Sequence, residues 1–181
     1  MSRIAAVNPE NATGKTKEIF DAINKKLGKV PNIFQHMANS PAVLEGYMSF
    51  SRALDGGSLP PKLRELIAIT VAEINVCQYC LSAHMAIAKS IGMTEQELKL
   101  ARDQRSDNDK WNAVLKFVRQ MVTTDAEMKD DDIAEVKAAG FSDGEIAEIV
   151  AVVALNQFTN YFNLTVQPEI DFPKIETAFP V

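Results

Sequence analysis

The sequence predicts an all-α protein, and three observations carry that prediction. Apolar residues recur at the helical period along nearly every long segment, strand-like alternation is scarce, and Gly and Pro fall between the segments rather than inside them. The chain has 181 residues, of which 46% are hydrophobic, and this length allows one domain with its own apolar core. We therefore expect a single helical domain over residues 1–181.

The predicted helices lie between these breaks, and several begin with a capping signal. They cover residues 14–27, 41–55, 61–74, 77–91, 95–104, 109–123, 130–139 and 143–164. Ser40 precedes Pro41, which suits a first helical position, while Thr94 and Ser142 are each followed three residues later by a glutamate. Residues 167–181 contain three prolines among apolar side chains, which predicts an extended arm laid on the domain or on a neighbouring subunit.

One stretch of the sequence has a weak counterpart later in the chain. Residues 64–80 can be aligned with residues 147–163, and Asn160 and Asn163 then stand opposite the two cysteines. An internal duplication of two helical halves would produce this similarity. Two unrelated buried helices would share the same apolar pattern, so both interpretations stay open.

Charge and hydropathy argue against two classes of partner. Asp and Glu number 24 against 19 Lys and Arg, a net charge of −5, and no basic stripe is available to displace counterions from nucleic acid. No apolar run approaches the roughly 18 residues that span a bilayer, and residues 1–14 lack the apolar core of a signal peptide. We therefore expect a cytoplasmic protein that binds neither nucleic acid nor membrane, with its thiols reduced.

Residues 73–89, EINVCQYCLSAHMAIAK, hold both cysteines and one of the two histidines. In a helix, at about 100° per residue, Cys77, Cys80 and His84 fall within an arc of about 60°. Asn75 is the expected N-cap, which puts both cysteines in the first turn, where free N–H groups and the helix dipole stabilise a thiolate. One helix face is therefore predicted to carry two reactive thiols and an imidazole.

Zinc binding is the chemical alternative, since two cysteines and His84 would supply three of the ligands of a structural site. His36, Glu73 or Glu65 would then be the fourth. His36 fits better as a histidine at a helix end or in the core. A zinc-stabilised or purely structural oligomeric binding module is therefore the second hypothesis.

Two glutamates compete for the role of partner to this cluster. In one continuous helix Glu73 would lie one turn below Cys77, while Glu65 would be about 18 Å away. If the chain turns at Asn75 and the two helices pack side by side, Glu65 comes within reach instead. Glu65 is set in an apolar face, as a proton carrier requires, with a surface pair to Lys62 as its alternative. For Glu73 we expect a solvated carboxylate near the helix end.

At these residues the sequence resembles a known family. Glu65, eleven intervening residues and the run CQYCLSAH from Cys77 to His84 are similar to the active-site pattern of the AhpD-like alkylhydroperoxidases in the carboxymuconolactone decarboxylase superfamily. The stretches GKVPNIFQHMANSP and AAGFSDGEIAEIVAVVALNQFTNYFN resemble the flanks of its peroxidase-related branch. The resemblance therefore runs from about residue 28 to residue 172.

The resemblance implies an all-helical enzyme, usually trimeric or hexameric, that reduces organic hydroperoxides through a reversible dithiol/disulfide cycle. Cys80 would be the peroxide-attacking thiolate, Cys77 the resolving thiol, and Glu65 with His84 a proton relay. The partner would be an unidentified dithiol reductant or reductase. No metal is expected, and no Gly-rich phosphate loop is present, so we expect no bound nicotinamide or flavin cofactor.

The chain departs from the best-studied peroxidases of the family at one position. They carry a second histidine between the cysteines, where this chain has Tyr79. A phenol, of ordinary pKa about 10, does not shuttle protons at neutral pH as an imidazole does. We therefore expect no proton transfer through Tyr79.

The amount of apolar surface predicts a homo-oligomer. Helix 61–74 and residues 146–158 are apolar around most of their circumference. Together with the apolar arm, they carry more apolar area than one core of this length should hide. We expect a trimer or a hexamer.

Overall fold

The computed structural model describes residues 2–178, and within them the prediction of an all-α fold is confirmed. A short 3-10 helix at Pro9–Asn11 comes first. The α-helices that follow in this part of the chain are α1 Gly14–Leu27, α2 Asn32–Met37, α3 Pro41–Asp55, α4 Pro61–Ile74, α5 Gln78–Ser90, α6 Glu95–Arg102, α7 Asp109–Thr123, α8 Asp130–Ala138 and α9 Asp143–Val166. None of the helices described is both long enough and apolar enough to cross a membrane.

The helix bounds follow the capping signals of the sequence. Four predicted helices have the predicted bounds, and four differ by one or two residues at one or both ends. At Thr94 and Ser142 the side chain accepts a hydrogen bond from the N–H three residues on, and the glutamate there bonds back to the N-cap N–H. Helix α2 was not predicted, because its six residues are too few to show a helical period.

Helix α4 is the centre of the packing and contacts α5, α7 and α9. Nine of its 14 residues are buried. One apolar cluster, which includes Leu66 and Ile69, lies towards α1, α2 and α5. A second, which includes Ile67 and Val71, lies towards α7, α8 and α9. The apolar circumference of α4, which the sequence analysis took as a sign of a subunit interface, is thus covered within one chain.

The chain reverses direction between α4 and α5 at Asn75 and Val76. The N–H of Cys77 bonds to the carbonyl of Ala72 at 2.9 Å, and the N–H of Val76 bonds to the carbonyl of Glu73 at 3.2 Å, which is the bond pair of a Schellman helix end. Val76 has a φ of 54°, a left-handed conformation that glycine usually supplies. Asn75 therefore ends α4, and the prediction that it caps α5 is wrong: Cys77 is that N-cap.

Residues 167–178 form an arm without regular secondary structure that lies on its own chain. Its apolar side chains pack against the first cluster: Ile170, Phe172 and Ile175. The backbone N–H of Ile175 donates to Ser82 Oγ at 3.0 Å, which fixes the arm along α5. The last part of the predicted arm, residues 179–181, lies outside the described residues.

The two halves that the sequence aligns differ at the turn. Helix α9 continues without a break through the residues that align with Asn75 and Val76. Glu148, which aligns with Glu65, accepts hydrogen bonds from the backbone N–H groups of Ser58 at 2.8 Å and Leu59 at 3.1 Å. Only the first half therefore forms the hairpin that carries the cysteines.

Candidate active site

Glu65 and His84 face each other across the hairpin of α4 and α5. Glu65 Oε2 lies 2.8 Å from His84 Nδ1, and both side chains are largely buried, with 15% and 22% exposed respectively. A carboxylate at Nδ1 orients the ring and makes Nε2 the nitrogen that exchanges a proton. Lys62, the alternative partner of Glu65, pairs with Glu97 at 2.8 Å instead.

Cys77 and Cys80 are joined by a disulfide at the start of α5. Cys77 is the N-cap, and its sulfur accepts a hydrogen bond from the N–H of Cys80 at 3.4 Å. The free N–H groups and the positive end of the helix dipole lie at this point, and they stabilise a thiolate once the disulfide is reduced. His84 follows Cys80 by one turn on the same helix. The hairpin thus brings together all four residues that the sequence singles out.

The sulfur atoms are enclosed on several sides. Cys77 is 0% and Cys80 is 3% exposed. From α9, Asn163 Nδ2 donates a hydrogen bond to Cys80 Sγ at 3.3 Å. From the arm, Ile175 bonds to Ser82, on the same helix. Helix α9 and the arm thus both cover the start of α5.

A cavity of about 680 Å³ opens onto Glu65 and His84. Its wall is largely apolar and comes from six helices, with apolar contributions from Ile19, Phe34, Tyr47, Met48, Ile87 and Leu155. Small-molecule sites typically measure about 300–1,000 Å³ and combine apolar walls with a few polar groups. His84 lines the cavity and stands one turn from Cys80, while neither cysteine lines the cavity itself.

Tyr47 is a polar group of this cavity that the sequence analysis missed. Burial, with the negative charge of Glu65 adding to it, raises the pKa of Tyr47 to about 12. Its phenol is therefore neutral at physiological pH, and it lines the cavity together with Glu65. A helical-period pattern gives no signal for this role, because Tyr47 looks like any apolar position of α3.

Tyr79, between the cysteines, anchors the arm. Its hydroxyl donates to Asp171 Oδ1 at 2.7 Å and accepts from the N–H of Ile33 at 3.1 Å. Burial and then the bond to Asp171 raise the pKa of Tyr79, so the phenol stays protonated at neutral pH. The side chain thus ties α2, α5 and the arm together, a role that sequence reasoning missed because Asp171 lies far along the chain.

Glu73 is fully buried, so the prediction of a solvated carboxylate is wrong. Its Oε1 accepts a hydrogen bond from Arg102 Nε at 2.7 Å, and its Oε2 accepts one from the N–H of Ala178 at 2.9 Å. Arg102 Nη2 also donates to the carbonyl of Glu176 at 2.6 Å. Glu73 therefore holds α4, α6 and the arm together, while Glu65 is the carboxylate that meets His84.

His36 lies in the last turn of α2 and is 4% exposed, as expected for a core histidine at a helix end. Burial lowers its pKa, so the imidazole is neutral at pH 7. Over residues 2–178, no group of three or more His, Cys, Asp and Glu side chains is arranged to hold a metal ion. Neither glutamate is a free fourth ligand for zinc, because Glu65 pairs with His84 and Glu73 pairs with Arg102.

Known proteins share this fold and part of this sequence. Residues 41–122 match the carboxymuconolactone decarboxylase family. A crystal structure of an alkylhydroperoxidase AhpD core, an uncharacterized peroxidase-related protein from Ralstonia eutropha JMP134, is similar with a TM-score of 0.86 and 22% identity, over 94% of this chain and 92% of that one. An uncharacterized peroxidase-related protein from Silicibacter sp. TM1040 is similar with a TM-score of 0.79 and 26% identity, over 85% and 83% of the two chains.

The debrominase Bmp8, as a cysteine-to-alanine variant in complex with 2,3,4-tribromopyrrole, has a similar fold, with a TM-score of 0.82 and 22% identity over 94% of both chains. None of the curated proteins compared with this chain matches it. The family match covers residues 41–122, and the two peroxidase-related structures share the fold over most of this chain. Together they support an AhpD-like protein of the carboxymuconolactone decarboxylase superfamily, in agreement with the resemblance seen in the sequence.

Proposed function

We propose that the protein is an enzyme that reduces organic hydroperoxides with the Cys77 and Cys80 thiols. The observation that supports this most strongly is the arrangement at the hairpin. A cysteine pair at a helix N-terminus lies one turn from His84, and His84 is bonded to Glu65 and lines an apolar cavity. A nucleophile, a base and a residue that orients the base are thereby within one site.

The proposed reaction starts from the reduced dithiol. Cys80 gives its proton to His84, and Glu65 stabilises the imidazolium. The Cys80 thiolate attacks the terminal oxygen of the hydroperoxide, the O–O bond breaks, and the alcohol leaves with the proton from His84, so that Cys80 becomes a sulfenic acid. The Cys77 thiol then attacks that sulfur, water leaves, and the disulfide forms.

An external dithiol or a reductase completes the cycle by supplying two electrons and two protons. The apolar wall of the cavity favours hydroperoxides with a hydrocarbon body over hydrogen peroxide itself. Because a cycling dithiol depends on reducing surroundings, we propose the cytoplasm as the compartment.

The first test is turnover. Purified protein with dithiothreitol should consume cumene hydroperoxide and release one cumyl alcohol per disulfide formed. Tightly bound stoichiometric zinc with unreactive thiols would contradict the proposal and support a structural binding module instead. Release of bromide from 2,3,4-tribromopyrrole in a parallel assay, without hydroperoxide turnover, would reassign the dithiol to reductive dehalogenation.

The second test concerns the relay. Glu65→Gln and His84→Gln should each raise the apparent pKa of the reactive thiol, because each removes part of the base that accepts its proton. Turnover at pH 7 should fall by about 10²-fold or more. The pH dependence of iodoacetamide alkylation measures the thiol pKa, and circular dichroism checks the fold.

Glu73→Gln is the matched control for these variants, since it changes the other glutamate of α4. It should shift the thiol pKa much less, because Glu73 bonds to Arg102 and Ala178 rather than to His84. If Glu73→Gln shifts the thiol pKa more than Glu65→Gln does, the carboxylate that serves the thiols is Glu73 and not Glu65.

We also propose that the protein is a homo-oligomer, either a trimer or a hexamer. On α9, an arc of about 120° keeps four large apolar side chains exposed: Val150, Phe158, Tyr161 and Leu164. An apolar face of this kind is typical of a contact between subunits. Light scattering should give a multiple of the 19.9 kDa chain mass, and Tyr161→Lys should reduce it. A single species of monomer mass at micromolar concentration would contradict the proposal.

A further inference from the structure

Asn163 is a buried asparagine whose side chain contacts the redox pair. It is 5% exposed, and its Nδ2 donates a hydrogen bond to Cys80 Sγ at 3.3 Å. Its Oδ1 is buried and finds no hydrogen-bond partner among residues 2–178. A buried carbonyl oxygen without a hydrogen bond costs free energy. Asn163 therefore makes its contact with the Cys80 sulfur while its own Oδ1 stays unpaired.

The neighbouring asparagines of α9 behave differently. Asn156 Nδ2 bonds to the carbonyl of Val152 at 2.8 Å, and Asn160 Nδ2 bonds to the carbonyl of Asn156 at 2.7 Å. Both amide NH₂ groups therefore bond within their own helix, in the way short polar side chains commonly do, while Asn160 Oδ1 accepts a hydrogen bond from Asn75 Nδ2 at 3.2 Å. Asn163 instead directs its amide N–H across to Cys80 on α5.

The chemistry of the sulfur determines how strong this contact is. A disulfide sulfur has no hydrogen to donate, so it pairs with the NH₂ end of the amide, and as a neutral sulfur it is a weak acceptor. A thiolate carries a full negative charge, and a hydrogen bond to an ionised acceptor is roughly twice as strong as a neutral one. The same contact therefore stabilises Cys80 most when that sulfur is an anion.

The charged groups near Cys80 leave the stabilisation of its thiolate to another residue. The hairpin supplies the Glu65 and His84 pair, which takes the proton in the proposed function. Helix α9 carries no charged side chain over residues 149–166, so what it offers the sulfur is the neutral amide of Asn163. A neutral donor stabilises a buried anion without adding a charge that itself needs a partner.

We propose that Asn163 is a further catalytic residue, which stabilises the thiolate of Cys80 by donating its Nδ2–H to the sulfur. The inference rests on the proposed function only in taking Cys80 as the reacting thiol. Because Asn163 bonds to Cys80 and not to Cys77, it also distinguishes the two sulfurs, making Cys80 the more acidic thiol.

The experiment uses full-length Cys77→Ser protein, in which Cys80 is the thiol that titrates. Alkylation by iodoacetamide, followed by intact mass across pH, gives the midpoint for Cys80. Asn163→Leu and Asn163→Ala should each move this midpoint upward by about one to two pH units, the shift expected for loss of a hydrogen bond to a charged group. Asn163→Asp should move it further, because it adds a negative charge beside the sulfur.

Asn156→Leu in the same Cys77→Ser protein is the matched control. Asn156 is a buried asparagine of the same helix, and its Nδ2 bonds to the carbonyl of Val152 rather than to a sulfur, so the midpoint should stay within a few tenths of a pH unit. An unchanged midpoint in folded Asn163 variants, or an equal shift in Asn156→Leu, would overturn the inference.

The wild-type protein provides a measurement that does not depend on the folding of any variant. On reduction with dithiothreitol, at a pH where Cys80 is ionised, the Nδ2–H₂ proton resonances of Asn163 should shift downfield. Unchanged resonances would overturn the inference. None of these readouts requires peroxide turnover, so a protein that ionises as described but does not reduce cumene hydroperoxide would refute the proposed function and leave this inference standing.

Discussion

Cys80→Ser should reduce hydroperoxide turnover to the rate at which the reductant alone consumes the hydroperoxide. Each molecule of Cys77→Ser should still react once, with one molecule of hydroperoxide. Cys80 lies one turn from His84 and accepts a hydrogen bond from Asn163. Cys77 is the N-cap, farther from the imidazole. Without Cys77, the sulfenic acid formed on Cys80 has no resolving thiol and accumulates.

Dimedone trapping and peptide mapping measure this directly. After one equivalent of cumene hydroperoxide, Cys77→Ser should carry the dimedone adduct on Cys80. Cys80→Ser should react at the rate of an ordinary free thiol. An adduct on Cys77 in the Cys80→Ser protein, with none on Cys80 in the other variant, would exchange the two roles.

Arg102→Ala should lower the free energy of unfolding by about 2–4 kcal/mol, somewhat less than the cost of breaking a fully buried ion pair, because the Arg102 side chain is 31% exposed. Glu73 is 0% exposed, so its carboxylate would lose its cation without gaining water. The change also removes the hydrogen bond from Arg102 to the carbonyl of Glu176, which loosens the arm. Urea denaturation followed by circular dichroism gives the difference.

Lys116→Ala is the control for that measurement. Lys116 also pairs with a glutamate, Glu135, but both side chains are about half exposed, at 59% and 47%. Exposed pairs contribute less than about 1 kcal/mol. If both variants lose the same free energy of unfolding, the buried carboxylate of Glu73 does not account for the contribution of Arg102 to stability.

The helices were predictable because local signals define their ends. Pro41 and Pro61 occupy first turns, and Thr94 and Ser142 form capping boxes with residues only three positions away. These signals depend on the nearest neighbours in sequence, and tertiary packing leaves them unchanged. Helix α2 lacks them: Pro31 stands at its N-cap without a side-chain bond.

The pairing of Glu65 with His84 was predictable only as one of two alternatives. It depends on whether α4 and α5 form one helix or a hairpin, and the residue that turns the chain is Val76. A β-branched side chain is unusual in a left-handed position, where glycine or asparagine is expected. The sequence therefore suggested a turn at Asn75, but it gave no sign that Val76 is the residue in the left-handed conformation.

The contacts that sequence reasoning missed all join distant segments. Glu73 was assigned to solvent because its partners, Arg102 and Ala178, follow much later in the chain. Tyr79 meets Asp171 in the same way. The cavity requires six helices to be placed at once, and no periodicity within a single helix encodes that arrangement.

The hairpin also limits where the chain can change in length. One residue inserted between Glu65 and the turn would rotate the Glu65 carboxylate by about 100° around α4 and carry it about 1.5 Å along the axis, away from His84. An insertion of the same size in residues 124–129, between α7 and α8, would leave both side chains in place. Insertions and deletions that keep the Glu65–His84 contact are thus expected in loops outside the segment from Glu65 to His84.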